Sequence, residues 1–341
     1  MKDGKVIFGV VGQGHIGNRH AEMIRLNQGS ELIAVCDTKS KEELGLGSIK
    51  ENYYNDLSTL LKNHPEIDVI NICTPNGLHA QHSIEALSAG KHVVCEKPMA
   101  LSKADCEKII FASLQHHKQV FAVMQNRYSP PSVWLKEIVD TKKIGEVYIV
   151  ELNCFWNRDE RYYTKPHWKG TRELDGGTLF TQFSHFIDIM YWIFGDITSI
   201  HAKFRNFNHN DLIEFEDSGL VSFEFVQSGF GVLNYTTSVW GKNMESSITV
   251  IGSKGSVRVG GQYMDKVEYC NISDYEMPSL ADTNPANDYG GYKGSANNHP
   301  QVIQNVIDTL NGRNSPYTNA LEGLKVVEII ERIYKSNPYV Q

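Results

Sequence analysis

The sequence lacks any apolar stretch near the roughly 20 residues that a membrane-spanning helix needs. Its nearest approach, residues 180–194, is interrupted by His185 and Asp188. It also lacks a block of basic residues: 40 acidic side chains outnumber 33 basic ones, for a net charge of −7. An acidic chain of this kind is a poor ligand for phosphate backbones. We therefore expect neither a membrane nor a nucleic acid as a partner.

A disulfide framework is missing as well, because no two cysteines form a CxxC pair. The six cysteines lie at positions 36, 73, 95, 106, 154 and 270. This scatter is typical of free thiols in a reducing cytoplasm. The apolar run 6–11 is too short for a signal peptide and leads into glycines instead of a cleavage site. We expect a cytoplasmic protein.

Two kinds of catalytic motif are absent. Ser102, Ser113 and Ser184 do not belong to a GxSxG elbow, which disfavours a serine hydrolase. His79 and His82 have a spacing that could hold a metal on a helix, but no further ligand cluster accompanies them. We expect no metal site.

The composition, 41% hydrophobic and 21% charged, is that of a globular protein. The length of 341 residues predicts two domains. Up to about residue 125, short β-branched runs alternate with amphipathic stretches, as in a parallel sheet with crossover helices. The predicted strands are 5–11, 31–36, 69–73, 92–95 and 120–123. The predicted helices are 17–27, 57–63, 78–89 and 103–116. The first half is therefore predicted to be an α/β domain.

After Pro130 and Pro131 the pattern changes to alternating strands with few helices, which predicts an α+β domain with a mainly antiparallel sheet. The predicted strands are 147–155, 200–207, 220–225, 231–237, 247–252 and 256–259. The predicted helices are 132–140, 182–194, 299–311 and 319–336. We divide the chain into domains 1–126 and 127–341. Residues 278–295 are predicted to be one long loop, either a binding loop or a surface excursion.

A glycine loop follows the first predicted strand. Gly12, Gly14 and Gly17 match GxGxxG, with a helical pattern opening at Gly17, as in dinucleotide-binding domains. Asp37, 20 residues after Gly17, is placed to accept hydrogen bonds from the adenosine ribose, which favours NAD over NADP. The lysines at 39 and 41 leave NADP open, and a glycine turn without a ligand is the simpler alternative.

Two further segments end predicted strands at the same sheet edge. Residues 74–76, Thr-Pro-Asn, follow the third strand, where ligands of open α/β sheets bind, although an ordinary turn explains them equally well. Glu96 and Lys97 follow the fourth strand, before Pro98. A lysine there could stabilise a developing alkoxide as a hydride leaves carbon. A solvated charge pair is the alternative.

The segment 175–188 carries polar side chains within an apolar helical pattern. On a regular helix Thr181, His185 and Asp188 would share one face. A histidine there could take up a proton at neutral pH, while a hydrogen-bonded core histidine explains the pattern equally well.

Together these motifs resemble the Gfo/Idh/MocA family of NAD(P)-dependent sugar oxidoreductases, in matching order along essentially the whole chain. The resemblance implies an α/β fold with an N-terminal Rossmann dinucleotide-binding domain. It also implies a C-terminal α+β domain with a large open, mainly antiparallel sheet that often forms homodimers or homotetramers, and a site between the domains. Lys97 and His185 would be the catalytic pair. Many family members carry an aspartate where this chain has Thr181, and because threonine cannot act as a base, the expected catalytic role falls on His185 and Lys97.

The resemblance implies two sets of binding residues. Those for the cofactor are Gly12, Gly14, His15, Ile16, Gly17, Asp37, Thr74, Pro75, Asn76, His79, Glu96, Lys97 and Gln125. Those for the substrate are Lys97, Asn126, Arg127, Arg158, Trp168, Lys169, Arg172, Thr181, Gln182 and His185.

Within the family, segments 125–127, 155–158, 168–171 and 247–261 look most like the UDP-N-acetylglucosaminuronate 3-dehydrogenases of bacterial surface-polysaccharide synthesis. The cations that could neutralise a diphosphate and a uronate carboxylate are Arg127, Arg158, Lys165, Lys169 and Arg172. Surface cations without a ligand are the alternative reading.

The resulting hypothesis is NAD-dependent oxidation at C3 of UDP-N-acetylglucosaminuronate. The alternatives are a dehydrogenase of a free sugar or of a cyclitol such as myo-inositol, an NAD-dependent glycoside hydrolase, and a dinucleotide-binding redox sensor without enzymatic activity. The sequence leaves open which hydroxyl reacts, whether NADH is released or recycled in place, the physiological direction and the number of subunits.

Overall fold

The computed structural model describes residues 4–163, 168–288 and 293–337. These form two compact units. The first unit contains the residues up to 124 together with 299–327, and the second contains 125–298 and the residues from 328 onward. In the described parts of the chain, no helix is both long and apolar enough to cross a membrane.

A six-stranded parallel sheet forms the centre of the first unit, in the order β3-β2-β1-β4-β5-β6. Its strands are β1 Val6–Val11, β2 Ser30–Cys36, β3 Asn52–Tyr54, β4 Val69–Ile72, β5 His92–Cys95 and β6 Val120–Ala122. The helices that connect them are α1 His15–Leu26, α2 Leu57–Asn63, α3 His79–Ser88 and α4 Lys103–Gln115. This is the strand order of a Rossmann fold, with its switch point between β1 and β4. The predicted α/β fold is confirmed.

Local sequence explains where these elements begin. β1 and β4 are buried along their whole length, as expected for strands covered on both faces. The Asp56 and Ser102 side chains accept the backbone N–H groups of Thr59 and Asp105, and so cap the first turns of α2 and α4. β3 escaped prediction because it is only three residues long and partly exposed.

The second unit contains a seven-stranded sheet in the order β13-β12-β11-β7-β10-β9-β8, antiparallel except where β7 and β10 pair. Its strands are β7 Val147–Phe155, β8 Ile197–Arg205, β9 Ser218–Phe225, β10 Phe230–Thr236, β11 Glu245–Gly252, β12 Gly255–Gly260 and β13 Lys266–Ile272. Its helices include α5 Pro130–Asp140 and α6 Ser184–Phe194. The predicted mainly antiparallel sheet is confirmed. β13 was not predicted because most of its residues are at least partly exposed and show no clear alternation.

Two expectations differ from the structure. The stretch predicted as one loop contains a short pair of strands, β14 Ala286–Asp288 and β15 Lys293–Ala296, while residues 289–292 lie outside the described residues. The helix α7 His299–Leu310 and the start of α8 Ala320–Lys335 belong to the first unit, although the sequence division assigned them to the second domain. α7 packs against α1, and the Ala122 N–H donates to the Thr318 carbonyl.

Candidate active site

The glycine loop lies between β1 and α1, and each glycine has a separate reason to be there. Gly12 has a positive φ of +88°, and a Cβ on it would lie 2.5 Å from the Cys73 carbonyl oxygen. A Cβ on Gly17 would lie 1.7 Å from the Gly12 carbonyl oxygen, so the loop and helix could not pack as they do. A Cβ on Gly14 would meet nothing within 4 Å. The first and third glycines therefore shape the loop, and the second leaves open space above it.

The start of α1 suits an anionic ligand. Gly14 is its N-cap residue, no side chain caps the helix, and its first turn carries no acidic residue. The exposed His15 is the first helical residue, followed by the half-buried Ile16. Uncapped N–H groups at a helix N-terminus, together with its partial positive charge, are a ready site for phosphate groups.

Asp37 lies beside this loop, just after β2. Its carboxylate accepts the backbone N–H groups of Gln13 at 2.7 Å and Lys39 at 3.0 Å. A carboxylate has about four acceptor positions, so capacity remains for ribose hydroxyls. Of the two neighbouring lysines, Lys39 is exposed, and Lys41 lies over the Tyr53 ring with its Nζ 5.7 Å from the centroid. The residues around the loop thus fit a dinucleotide.

His79 connects the loops that follow β4 and β5. Its ring nitrogens lie 2.7 Å from the Pro98 carbonyl oxygen and 2.8 Å from the Thr74 carbonyl oxygen. Burial lowers the pKa of His79, although both carbonyls act in the opposite direction. His82 makes a hydrogen bond with the Thr74 hydroxyl at 3.1 Å. His79 therefore holds the loop that contains Thr74, Pro75 and the buried Asn76 to the loop that contains Pro98. Its contact with a cofactor stays a prediction.

Glu96 is buried and accepts three hydrogen bonds. Its Oε1 lies 2.8 Å from His20 Nε2 and 3.3 Å from His299 Nε2, and its Oε2 accepts the Lys97 N–H at 3.1 Å. Burial alone would raise the pKa of Glu96, but the hydrogen bonds from the two histidines hold it well below its usual range. Lys97 itself is half-buried. The carboxylate is thus an anion fixed next to the predicted catalytic lysine.

Sequence reasoning missed His20 and His299. His20 lies three residues after Gly17, on the buried side of α1, so a GxGxxGxxH reading could have found it. His299 carries no local signal, because it lies 203 positions from Glu96 in the chain. Among the described residues, His20, Glu96 and His299 are the one group whose side chains are close enough to hold a metal ion.

Arg127 and Asp188 form a buried ion pair in the second unit. The guanidinium donates to both carboxylate oxygens, with Nη2 2.6 Å from Oδ1 and Nε 2.9 Å from Oδ2. Arg127 is 1% exposed and Asp188 is completely buried. Trp192 lies 5.4 Å from the guanidinium carbon. This pair fixes α6 to the segment that carries Arg127, and the predicted contact of Arg127 with an anionic substrate stays a prediction.

Arg158 and Lys169 lie on the same aromatic ring. The Arg158 guanidinium carbon is 5.2 Å, and the Lys169 Nζ 3.8 Å, from the centroid of Tyr162. Arg158 donates to Gln182 Oε1 at 2.9 Å, and Gln182 Nε2 donates to the Tyr162 hydroxyl at 2.7 Å. Burial and the nearby Arg158 charge lower the pKa of Lys169 to about 8. Two cations this close favour the binding of an anion.

Three further residues were predicted to contact the substrate or neutralise its charge. Arg172 is exposed, and its backbone N–H donates to Glu214. Trp168 is half-buried. Lys165 lies outside the described residues.

The helix that carries His185 starts irregularly. Leu179–Phe183 is a π-helical turn, and the α-helix α6 begins only at Ser184. The Thr181 hydroxyl donates to the Asp175 side chain, and the buried His185 is the second residue of α6. The prediction that Thr181, His185 and Asp188 share one face assumed a regular α-helix, and the π-helical turn breaks that regular spacing. π-helical turns of this kind occur frequently at functional sites.

Asn126 is 4% exposed, and among the described residues neither its Oδ1 nor its Nδ2 has a hydrogen-bond partner. Its neighbour Gln125 is held by Asn298, because its Oε1 accepts the Asn298 N–H at 3.0 Å and its backbone carbonyl accepts the Asn298 side chain. A buried amide without partners costs about 1–3 kcal/mol. Such a group is a strong candidate for a ligand contact.

The strand, glycine loop, helix and Asp37 on a 3-2-1-4-5-6 parallel sheet define a dinucleotide-binding protein of the Rossmann class. Residues 6–124 match the oxidoreductase family with an NAD-binding Rossmann fold, and residues 133–258 match the Gfo/Idh/MocA C-terminal domain. The chain belongs to the Gfo/Idh/MocA family. The resemblance inferred from the motifs is confirmed.

Two solved structures are similar over nearly the whole chain. The WlbA dehydrogenase from Bordetella pertussis, in complex with NADH and UDP-GlcNAcA, is 30% identical, with a TM-score of 0.85 over 97% of this chain and 96% of that one. The WlbA dehydrogenase from Chromobacterium violaceum, with the same two ligands, is 33% identical, with a TM-score of 0.86 over 98% of this chain and 94% of that one.

Curated relatives include the inositol 2-dehydrogenase of Salmonella paratyphi B, which is 31% identical over 193 residues. That match covers 55% of this chain and 54% of the relative, so the chain spans about half the length of the curated relatives it matches.

Proposed function

We propose that the protein oxidises a secondary hydroxyl of a sugar with NAD, at C3 of UDP-N-acetylglucosaminuronate, in the synthesis of a surface polysaccharide. The observation that carries this proposal is the similarity of the whole chain, at 30% and 33% identity, to two dehydrogenases whose structures contain NADH and UDP-GlcNAcA. The shape of the glycine loop and the paired cations on Tyr162 support it independently.

The proposed cofactor is NAD rather than NADP. Asp37 supports this choice because its carboxylate is fixed beside the loop by the N–H groups of Gln13 and Lys39. A carboxylate there can accept both adenosine ribose hydroxyls and would repel a 2′-phosphate. The chemistry that NAD supplies when bound is acceptance of a hydride from the carbon that carries the reacting hydroxyl.

The proposed catalytic residues are Lys97 and His185. Lys97 donates a hydrogen bond to the substrate hydroxyl, which orients the oxygen and stabilises it as negative charge develops. His185 accepts the hydroxyl proton, as its imidazole is suited to do near neutral pH. Thr181 cannot act as a base, and its hydroxyl is directed to Asp175, which supports leaving the proton transfer to His185.

The other proposed substrate contacts, besides Lys97, lie in the second unit. Arg158 and Lys169 supply positive charge for a diphosphate or a carboxylate. Asn126 offers a buried donor and a buried acceptor, and both suit a sugar hydroxyl or an acetamido group.

The second candidate function is oxidation of a cyclitol such as myo-inositol, and the relatives named inositol 2-dehydrogenase favour it. The two candidates share the hydride-transfer chemistry and differ in the charge of the substrate. Substituting Lys169 by Met should therefore raise KM for a nucleotide-linked uronate by at least about tenfold and leave KM for myo-inositol unchanged.

The deciding experiment incubates the purified protein with NAD and, separately, UDP-N-acetylglucosaminuronate, UDP-N-acetylglucosamine and myo-inositol. Mass spectrometry then measures loss of two hydrogens from the substrate, which also detects turnover if NADH is recycled in place. A substrate deuterated at C3 should deliver its deuterium to the nicotinamide. Turnover of myo-inositol alone, or hydride from another carbon, would contradict the proposal.

A matched variant tests the catalytic assignment. Lys97→Met keeps the length and apolar character of the side chain but loses the ammonium. We expect kcat to fall by orders of magnitude, while the Kd for NADH stays within about threefold of the wild type. Near-normal turnover would remove Lys97 from the mechanism.

We also propose a cytoplasmic homo-oligomer. The six cysteines of the structure are free, which suits a reducing compartment. One face of the large sheet carries the exposed apolar side chains Leu220, Phe230, Ile251 and Tyr269. Exposed apolar side chains grouped on one face favour association. Light scattering should find a dimer or tetramer that Phe230→Lys dissociates, and a monomeric wild type would contradict this.

A further inference from the structure

Three segments of the first unit, far apart in the chain, meet at one buried carboxylate. His20 comes from α1, His299 is the first residue of α7, and Glu96 follows β5. Both histidines approach the same oxygen, Glu96 Oε1, at 2.8 and 3.3 Å. The other oxygen accepts the Lys97 N–H at 3.1 Å. Glu96 therefore anchors the backbone from which the Lys97 side chain projects.

Asn71 on β4 extends this arrangement, because its side-chain amide lies 2.8 Å from His20 Nδ1. Glu96 is held in its carboxylate form and can only accept, so His20 Nε2 supplies the proton of the hydrogen bond between them. A hydrogen-bonded row then runs from the buried Asn71 through His20 to Glu96 and the Lys97 backbone.

A metal ion held by the same three side chains is the competing interpretation. It would require the lone pair of His20 Nε2 to point at the metal, but this nitrogen faces the Glu96 carboxylate, which can only accept a hydrogen bond from it. The separation of 2.8 Å between His20 Nε2 and Glu96 Oε1 is also that of a charge-assisted hydrogen bond. The three side chains are therefore arranged around a hydrogen bond between His20 and the Glu96 carboxylate, and not around a metal ion.

We propose that His20 and His299 are positioning residues that act through Glu96. They hold its carboxylate in place and ionised, and the carboxylate in turn holds the Lys97 backbone and favours the protonated form of the Lys97 side chain. The inference deepens the proposed function, because it gives the ammonium of Lys97 the role of donor to the substrate hydroxyl. A buried anion stabilises a nearby cation more strongly than an exposed one, since little water screens it.

The other titratable groups that interact with Glu96 do not change charge between pH 7 and pH 9. Burial, reinforced by Glu96, raises the pKa of Cys73 well above its usual range and that of Cys95 to about 12. Burial lowers the pKa of His79. Besides Glu96 and His20, the charged side chain that acts on His299 is Arg19.

The test compares leucine and glutamine at each histidine. Glutamine places an amide nitrogen near the position of histidine Nε2 and can still donate to Glu96, whereas leucine fills similar space without a donor. We expect His20→Leu and His299→Leu to lower kcat about 10- to 100-fold with the Kd for NADH within about threefold. The glutamine variants should retain at least about a third of the wild-type kcat.

A second measurement does not depend on the substrate. Competitive labelling of amines over a range of pH, read by mass spectrometry, gives the pKa of Lys97 in the protein without sugar. We expect it to fall by about one pH unit in the leucine variants and to recover in the glutamine variants. His64→Leu is the matched control, because His64 is another buried histidine that contacts a glutamate, Glu66, at 2.9 Å. It should affect neither kcat nor the Lys97 pKa.

The outcomes separate this inference from the proposed function. If the wild type oxidises none of the sugars but the leucine variants still lower the Lys97 pKa, the proposed function fails and the positioning role stands. If the sugar is oxidised but glutamine harms kcat as much as leucine, or NADH affinity falls together with kcat, the positioning role is wrong. A stoichiometric metal ion found in the purified protein by elemental analysis would also overturn it.

Discussion

Glu216 provides a prediction that the structure makes quantitative. Its carboxyl group is almost completely buried, and its Oε1 accepts the hydroxyl groups of Tyr235 at 2.9 Å and Tyr334 at 2.7 Å. The Tyr334 hydroxyl in turn accepts the N–H of Leu179, at the start of the π-helical turn. Burial raises the pKa of Glu216 from 4.5 to about 7, although both tyrosines act to lower it.

The direction of the effect follows from linkage. A carboxyl group whose pKa is higher in the folded than in the unfolded state holds its proton more tightly when folded. Its contribution to stability is therefore complete below about pH 4.5 and is lost as the pH rises through about 7. At about 1.4 kcal/mol for each tenfold change in proton affinity, the full loss is about 3 kcal/mol. About 2.5 kcal/mol of it falls between pH 5 and pH 8.

Substitution of Glu216 by Gln removes the titration and keeps an oxygen that can accept the tyrosine hydroxyls. All five tryptophans lie between residues 134 and 240, so their fluorescence during urea unfolding reports on the second unit, which contains Glu216. The free energy of unfolding of the wild type, relative to Glu216→Gln, should fall by about 2.5 kcal/mol between pH 5 and pH 8. The exposed Glu224→Gln is the control and should show no such difference. A change below about 0.5 kcal/mol for Glu216→Gln would refute the reasoning, because Glu216 would then ionise normally.

Three further experiments, on the glycine loop, Asn126 and the Arg127–Asp188 pair, have distinct expected results. Gly17→Ala, whose Cβ would collide with a loop carbonyl, should lower the free energy of unfolding by about 1–3 kcal/mol, whereas Gly14→Ala should leave it unchanged and only weaken NADH binding in a fluorescence titration. Equal stability loss in both would contradict the separate roles of the two glycines. Asn126→Leu removes a buried amide without partners among the described residues, so the free protein should become more stable by up to about 1 kcal/mol while KM for the sugar rises at least about tenfold. Loss of stability with an unchanged KM would show that this amide serves the fold. Arg127→Leu should destabilise the protein by about 3–5 kcal/mol in urea unfolding, because it leaves Asp188 as an unpaired buried charge. The double variant Arg127→Leu with Asp188→Leu should recover most of that loss, and no recovery would mean that the pair acts through more than its charges.

The sequence by itself determined the features that depend on neighbouring residues. The glycines at 12, 14 and 17 can be recognised because a tight turn and a close approach require glycine whatever the rest of the chain does. The buried strands β1 and β4 are apolar throughout, so composition alone reveals them. Caps such as Asp56 and Ser102 act within a single turn. Fold class, cofactor loop and family followed from such local signals, read in order along the chain.

Only the tertiary structure decided which distant side chains meet. Glu96 lies 76 positions from His20, and Arg127 lies 61 positions from Asp188, so no periodicity in the sequence relates the members of either pair. The sequence shows Arg127 only as a cation, and the structure adds that its charge is paired with Asp188. The π-helical turn before His185 likewise changes a helix phase that the sequence pattern assumed to be regular. Hydrogen bonds and charges act over a few ångströms, and the folding of the whole chain, not the spacing of residues along it, sets which groups come that close.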